Sequence, residues 1–362
     1  MIAAGGTGGH LYPGIALARE FIRHDPSTTV RFVGTARGIE VKVLPHEGFD
    51  LDLITALPFM GLGIRKAVSA ILALPGGLGQ STTILRASRT DLVVGIGGYT
   101  TPPVIIAAFL LRIPRVILEP NAYPGKANKL LGPLASRVFL AFEAASGDFN
   151  PSKVRVFGTP IRRAFLEPPS SGNVHPEHGR TLLVFGGSRG AHAINLAMMD
   201  ALPMLGQDAT VRRHLNVIHQ TGEADYEQVK TAYEATGVQA HVVPFLFDMP
   251  ATLLSADLVI SRAGAMTLAE LTVCGKPAVL VPFPHAIYDH QARNAMVVEE
   301  AGAAVVIPQQ ELTGSRLAQV VKGLLQDPER LAVMGRRSRS LGKTDAAEAI
   351  VRECVALVKQ GR

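Results

Sequence analysis

The sequence predicts an α/β protein of two Rossmann-like domains, each built on a doubly wound parallel sheet. Three observations carry that expectation. Short β-branched runs alternate with helical apolar patterns along the whole chain, as in repeated βαβ units. Two of those runs end in glycine-dense turns that open a helix, Gly5-Gly6-Thr7-Gly8-Gly9-His10 and Gly186-Gly187-Ser188-Arg189-Gly190-Ala191. The chain's 362 residues also exceed what one hydrophobic core usually serves.

Taken in order, residues 1–4 form a short apolar strand, and Ile15, Ala16, Leu17, Ala18, Phe21 and Ile22 give the following segment helical periodicity. Further strands are expected at 29–33, 49–54, 92–96, 115–119, 137–140 and 153–157. An aperiodic Pro- and Gly-rich stretch at 166–180 reads as a linker. A second series follows at 181–185, 215–220, 240–243, 258–261, 277–281 and 303–307. The tail, 345–359, is an amphipathic helix with Ala346, Ile350, Val351, Cys354, Val355 and Val358 on one side.

Composition narrows the function. Apolar residues make up 47% and charged residues 18%, enough for buried cores and against disorder. No apolar run reaches bilayer-spanning length, and no signal-peptide pattern is expected. Cys274 and Cys354 sit inside apolar helical patterns and read as core thiols in a reducing compartment. The net charge of +6 lies wholly in residues 1–160, where 16 Lys/Arg meet 10 Asp/Glu; the remainder has 20 of each. With no basic run and 6% aromatics, nucleic acid is not an expected partner, which leaves phosphorylated ligands or an anionic membrane surface.

The chemistry gathers at the turns. Glycines let backbone approach a ligand, and a new helix points free N–H groups at it, so each glycine turn is a phosphate-type loop. His10 puts a titratable group beside the first of them. Gly97-Gly98-Tyr99 is a third such turn, and Glu119-Pro120-Asn121 ends a strand with a carboxylate and an amide at the edge of the site. Arg162 and Arg163 close this half, and a guanidinium there is suited to clamp a pyrophosphate. In residues 262–270 a strand again turns into a helix, with Glu270 one turn in, either a ribose-diol acceptor or a solvated helix acid. Asp289 reads as the N-cap of a later helix, leaving His290 and Gln291 in its first turn for sugar hydroxyls. His285 and His290 lack a completing carboxylate or thiolate, so no metal is expected. Neither glycine loop is a clean GxGxxG, no acid ends the second strand, and no Walker lysine is present, which argues against a dehydrogenase or a P-loop NTPase.

These strings resemble the MurG family of bacterial peptidoglycan glycosyltransferases, in order and over nearly the whole chain. The most specific are GGTGGHLYPG at 5–14, GGY at 97–99, GGSRGA at 186–191 and RAGAMTLAE at 262–270 with DHQ after it. The resemblance implies a GT-B fold, with an acceptor and membrane-facing domain at 1–163, a donor domain at 164–342 facing it across a cleft, and a helix at 343–362 returning to the first. It implies inverting transfer of N-acetylglucosamine from UDP-GlcNAc to undecaprenyl-diphospho-muramoyl-pentapeptide, lipid I, without cofactor or metal. Gly187, Ser188, Arg189 and Gly190 would meet the diphosphate with Arg162, and Phe245 and Leu246 the uracil. Ala265, Met266, Thr267 and Glu270 would complete the nucleotide site, and Gln291 would bind the sugar. Thr7, Gly8, Gly9, Gly98, Tyr99 and Asn121 would hold the acceptor diphosphate, with His10 as base and Glu119 as its rival. The chain departs from the family pattern at Thr159, Ala263 and Pro120, where Asn, Ser and often Gln are usual; the short first strand suggests a start upstream of Met1. The alternatives are a non-hydrolysing UDP-GlcNAc epimerase of the same fold, which should show more carboxylates, another lipid-acceptor GT-B glycosyltransferase, and a silent nucleotide-sugar binder.

A lipid-linked acceptor requires the enzyme to reach the membrane. Ile64, Arg65, Lys66, Val68 and Leu72, apolar positions interleaved with cations, and Phe109 are expected to dock the first domain on the anionic cytoplasmic leaflet. A core-helix reading competes for the same residues.

Overall fold

In the computed structural model, described for residues 1–57, 63–167, 179–187 and 190–361 (backbone alone at 63–72, 209–211, 287 and 361), the chain divides into two compact units. Met1–Arg162 with Lys343–Arg362 forms one, and Arg163–Gly342 the other.

The first unit begins β1 (Ile2–Ala4), α1 (Gly8–His24), β2 (Arg31–Gly34), α2 (Glu40–His46), β3 (Asp50–Leu53) and α3 (Gly63–Ala87). It continues β4 (Val93–Gly97), α4 (Thr101–Leu110), β5 (Arg115–Glu119), α5 (Lys126–Leu131), β6 (Arg137–Leu140) and β7 (Val154–Val156). The second unit begins β8 (Arg180–Phe185), α6 (His192–Gln207), α7 (Ala209–His214), β9 (Leu215–Gln220), α8 (Tyr226–Thr236), β10 (Gln239–Val243) and α9 (Met249–Ser255). It ends β11 (Leu258–Ser261), α10 (Ala265–Cys274), β12 (Ala278–Leu280), α11 (His290–Glu300), β13 (Ala304–Val306), α12 (Gly314–Leu325) and α13 (Pro328–Leu341). The last helix, α14 (Ala346–Gly361), belongs to the first unit.

Each predicted strand is present, with its ends displaced by at most two residues. All pairings within both sheets are parallel. Helices cover both faces, which is why β4 and the last five residues of β8 are buried at every position and read as unbroken apolar runs.

Sheet order decides where a ligand can sit. The first sheet runs β3-β2-β1-β4-β5-β6-β7 and the second β10-β9-β8-β11-β12-β13. Order therefore reverses between β1 and β4, and between β8 and β11. Crevices at the carboxyl ends of such strand pairs are the binding places of open α/β sheets. The four glycine-bearing turns follow those same four strands.

Helix α14 buries Ile350, Val351 and Cys354 among Leu11, Ile15 and Leu17 of α1. Ile350 and Val351, fully removed from water, contribute about 1.5–3 kcal/mol each. Glu353 accepts from Arg137 Nε at 2.8 Å and fixes the helix to the end of β6. Both cysteines are buried and free, and burial pushes the Cys274 thiol up to about 11 and the Cys354 thiol higher still.

No helix among the described residues is long and apolar enough to cross a membrane. Ile64, Arg65, Lys66, Val68 and Leu72 fall in α3, but their side chains lie outside the described residues. Phe109, at the end of α4, is 44% exposed beside Leu110 at 62%, with the Arg115 guanidinium 4.7 Å from its ring centroid.

Candidate functional site

In the first unit the turn after β1 lies beside the turn after β4. Gly6, at φ +91°, leaves no room for a side chain, because a Cβ there would stand 2.9 Å from Cε1 of Tyr99. The Tyr99 hydroxyl in turn lies 3.2 Å from Thr35 Oγ1. Two of the expected residues, Thr7 and His10, meet directly, with Thr7 Oγ1 3.2 Å from His10 Nδ1. His10 was expected as the last loop residue but stands in the first turn of α1, which begins at Gly8. A Cβ on Gly97 would lie 3.1 Å from His10 Nε2, so both turns close around this imidazole.

Sequence reasoning missed what braces this loop. Glu40, wholly buried at the start of α2, accepts from Gly6 N and Thr35 N at 3.0 Å each. In the sequence it resembles any acid in a helix's first turn. The available signal was its setting among Gly34 and Gly38, neither of which leaves space for a Cβ beside its carboxyl group.

Glu119 differs from its expected place at the edge of the site. It is 1% exposed, and its two oxygens accept four N–H bonds: Asn121 N and Nδ2 at 3.0 Å, and Gly125 N and Asn128 Nδ2 at 2.9 Å. Burial pushes its pKa up, and the four donors pull against that shift. A carboxylate so engaged braces the loop after β5 and positions Asn121; it does not present a lone pair for a substrate proton.

The second unit holds a cavity of about 520 Å³ at its own switch point. Gly186, Gly187, Gly190 and Ala191 line one side, Arg262, Gly264 and Thr267 another, and Phe283, Gln291 and Gln309 close it. Gly264 is the N-cap of α10, so the N–H groups of Ala265, Met266 and Thr267 begin that helix beside the cavity. Glu270 lies one turn further on and is half-buried. Gln291 Oε1 accepts from Ala263 N at 3.2 Å and Phe283 N at 3.0 Å, which leaves its NH2 group as the part that can meet a ligand. Ser188 and Arg189 lie outside the described residues. Arg162 is a residue of the first unit, its guanidinium carbon 5.5 Å from the Tyr12 ring centroid. Phe245 and Leu246 lie between β10 and α9; Phe245 is 44% exposed, its ring 5.1 Å from that of Phe247.

Arg262 and Gln309 are among the cavity residues that the sequence did not point to. Arg262 gives its Nη1 to the carbonyls of Val281 and Pro282 at 3.1 and 3.3 Å, and burial pushes its pKa down. Gln309 has a buried Oε1 with no partner among the described residues, an acceptor that a ligand N–H or O–H would satisfy. One local expectation is corrected. Asp289 stands at the N-cap of α11 but makes no capping bond, because it and Tyr288 are left-handed, at φ +55° and +57°. Among the described residues no group of three or more His, Cys, Asp or Glu could hold a metal ion.

Behind the cavity, His219 on β9 is fully buried, and burial pushes its pKa down to about 3 from 6.5. Below pH 6.5 the unfolded chain therefore binds a proton that the folded one refuses, so this contribution to stability is complete above pH 6.5 and falls towards pH 3. Between pH 6.5 and 5, denaturant unfolding of wild type should lose up to about 1.4 kcal/mol per pH unit more than His219→Gln. Parallel slopes would contradict it.

Residues 1–140 match the Glycosyltransferase family 28 N-terminal domain, and 181–350 its C-terminal domain. The UDP-N-acetylglucosamine--N-acetylmuramyl-(pentapeptide) pyrophosphoryl-undecaprenol N-acetylglucosamine transferase of Syntrophus aciditrophicus is 47% identical, over 99% of this chain and 98% of its own. The chain belongs to the MurG family of glycosyltransferases. The crystal structure of Acinetobacter baumannii MurG superposes with a TM-score of 0.79 at 29% identity, covering 98% of each chain. The two Rossmann-like units are those of the GT-B class. The UDP-GlcNAc 2-epimerase of Neisseria meningitidis also superposes, at TM-score 0.68 over 98% of this chain and 99% of its own, but at 16% identity it shares the fold alone.

Proposed function

We infer that this chain is a metal-independent, inverting N-acetylglucosaminyltransferase that moves GlcNAc from UDP-GlcNAc to lipid I, making lipid II in peptidoglycan synthesis. The carrying observation is kinship over 99% of the chain with a transferase of that name. The second unit's cavity supplies a donor site of matching chemistry: a glycine loop and a helix N-terminus for a diphosphate, and the Gln291 amide for sugar hydroxyls. Ala263, lacking the hydroxyl usual there, leaves this task to backbone N–H groups.

Mechanism follows from charge and proton flow. The acceptor hydroxyl attacks the anomeric carbon and loses its proton as the bond to the UDP oxygen breaks. His10, whose Nδ1 lies 3.2 Å from Thr7 Oγ1, is the base that takes that proton. Negative charge passes to UDP, where N–H groups and Arg262, with Arg162 by resemblance, stabilise it. The loops bearing Gly8, Gly9, Gly98 and Tyr99, with Asn121, hold the acceptor diphosphate.

Because the acceptor is a lipid, the reaction belongs at the cytoplasmic face of the membrane, with the Phe109 end of α4 and the cationic start of α3 towards the leaflet. UDP-[14C]GlcNAc and lipid I in anionic vesicles test both parts. Label should enter the lipid, and protein should sediment with the vesicles and detach in high salt. UDP-ManNAc formation without transfer would favour an epimerase; transfer without sedimentation would remove the membrane surface alone.

Glu270→Ala should weaken UDP binding by roughly 1–3 kcal/mol if this acid holds the ribose diol. Unchanged calorimetric affinity in a folded variant would return it to a solvated helix acid.

A further inference from the structure

A line of polar side chains runs from the core of the second unit to its cavity. His219 Nε2 lies 3.0 Å from Asn195 Oδ1, and His219 Nδ1 lies 3.1 Å from the Tyr233 hydroxyl. Asn195 Nδ2 donates to Thr221 O at 2.9 Å and to Asp225 Oδ2 at 2.7 Å. The polarity is then fixed throughout: His219 donates from Nε2 and accepts the tyrosine proton at Nδ1. Asp225 completes the line, its two oxygens 3.0 and 3.1 Å from Nδ1 of His192.

Asp225 occupies the N-cap position of α8, where an aspartate ordinarily accepts a helix N–H, yet it makes no capping bond. Its carboxylate is turned to Asn195 and His192 instead. His192, first residue of α6, lines the cavity next to Ala191 and has a side chain 68% exposed. A surface ion pair that open has little to add to stability. A buried frame that fixes the ring through Nδ1 leaves Nε2 as the nitrogen a ligand would meet. The remaining lining includes the glycines of the loop after β8 and the start of α10, whose first N–H groups lie beside the cavity.

We propose that His192, oriented by Asp225, is a further donor-site residue whose Nε2–H hydrogen-bonds the nucleotide's diphosphate. The proposal rests on the donor reading given above. With Nδ1–H given to Asp225, Nε2 donates only from the doubly protonated ring, which in the complex would stand between the carboxylate and the diphosphate. The contact strengthens as the anomeric bond breaks and its electron pair passes to UDP. Asp225 is a positioning residue.

Calorimetry of the full chain with UDP and with uridine tests this. His192→Ala should weaken UDP about 10- to 100-fold, the worth of one charge-assisted hydrogen bond, and leave uridine unchanged. His192→Arg should stay within about threefold of wild type, and Asp225→Asn should fall between the two. Equal losses for UDP and uridine, or an unchanged UDP affinity in His192→Ala with a wild-type melting temperature, would overturn the proposal. Wild type that binds no UDP would overturn the donor reading itself, a failure visible before any variant is made.

Discussion

His10→Ala is expected to lower kcat by about 10²–10⁴-fold, the ordinary worth of a positioned base, with UDP affinity within twofold of wild type. The second part follows because His10 belongs to the first unit, whereas the described residues lining the donor cavity belong to the second. The loop should survive the change, because Glu40 holds Gly6 and Thr35 independently of the imidazole. Glu119→Gln is the informative contrast. Its new NH2 group would face N–H donors where an oxygen now accepts, so it should lower the melting temperature and disorder the loop carrying Asn121. A His10→Ala enzyme with wild-type kcat would remove the imidazole from the mechanism, and the buried carboxylate could not replace it.

What the chain discloses locally it discloses well. β5, β6, β9 and β11 lie at the residues expected for them, because a buried strand concentrates apolar and β-branched residues. The glycine turns were visible for a related reason, since backbone that must pass close to a ligand or a ring excludes side chains. Partnerships between distant residues were not visible. Glu40 meets Gly6 across 34 residues, and His192 meets Asp225 across 33, with nothing at either end to announce the other. Glu119 misled for the opposite reason. A carboxylate at a strand's carboxyl end is where catalytic acids sit, and only the fold of the next nine residues shows its oxygens filled. Asp289 failed as a cap because its backbone is left-handed, which residue type alone does not reveal.

Gly190→Ala should be the most damaging small substitution in the donor loop, costing about 2–4 kcal/mol of stability and at least tenfold in UDP affinity. Gly190 sits at φ +75°, and a Cβ there would overlap the Thr221 carbonyl, 2.5 Å from its carbon, and come within 2.9 Å of Gly222 N. These are backbone atoms at the end of β9 and cannot swing aside as a side chain would. Thr221 O also accepts from Asn195, so a displaced carbonyl disturbs the support of Asp225 and His192 as well. Gly237 provides the control, being left-handed at φ +66° at the end of α8 with nothing within 4 Å of a Cβ. Gly237→Ala therefore carries the conformational cost alone, about 1–2 kcal/mol, and should leave UDP binding intact. Denaturant unfolding and UDP calorimetry on both variants separate clash from strain. Equal destabilisation of the two, with UDP affinity preserved in Gly190→Ala, would mean that the loop relaxes freely and that its close approach to Thr221 is not what shapes the donor site.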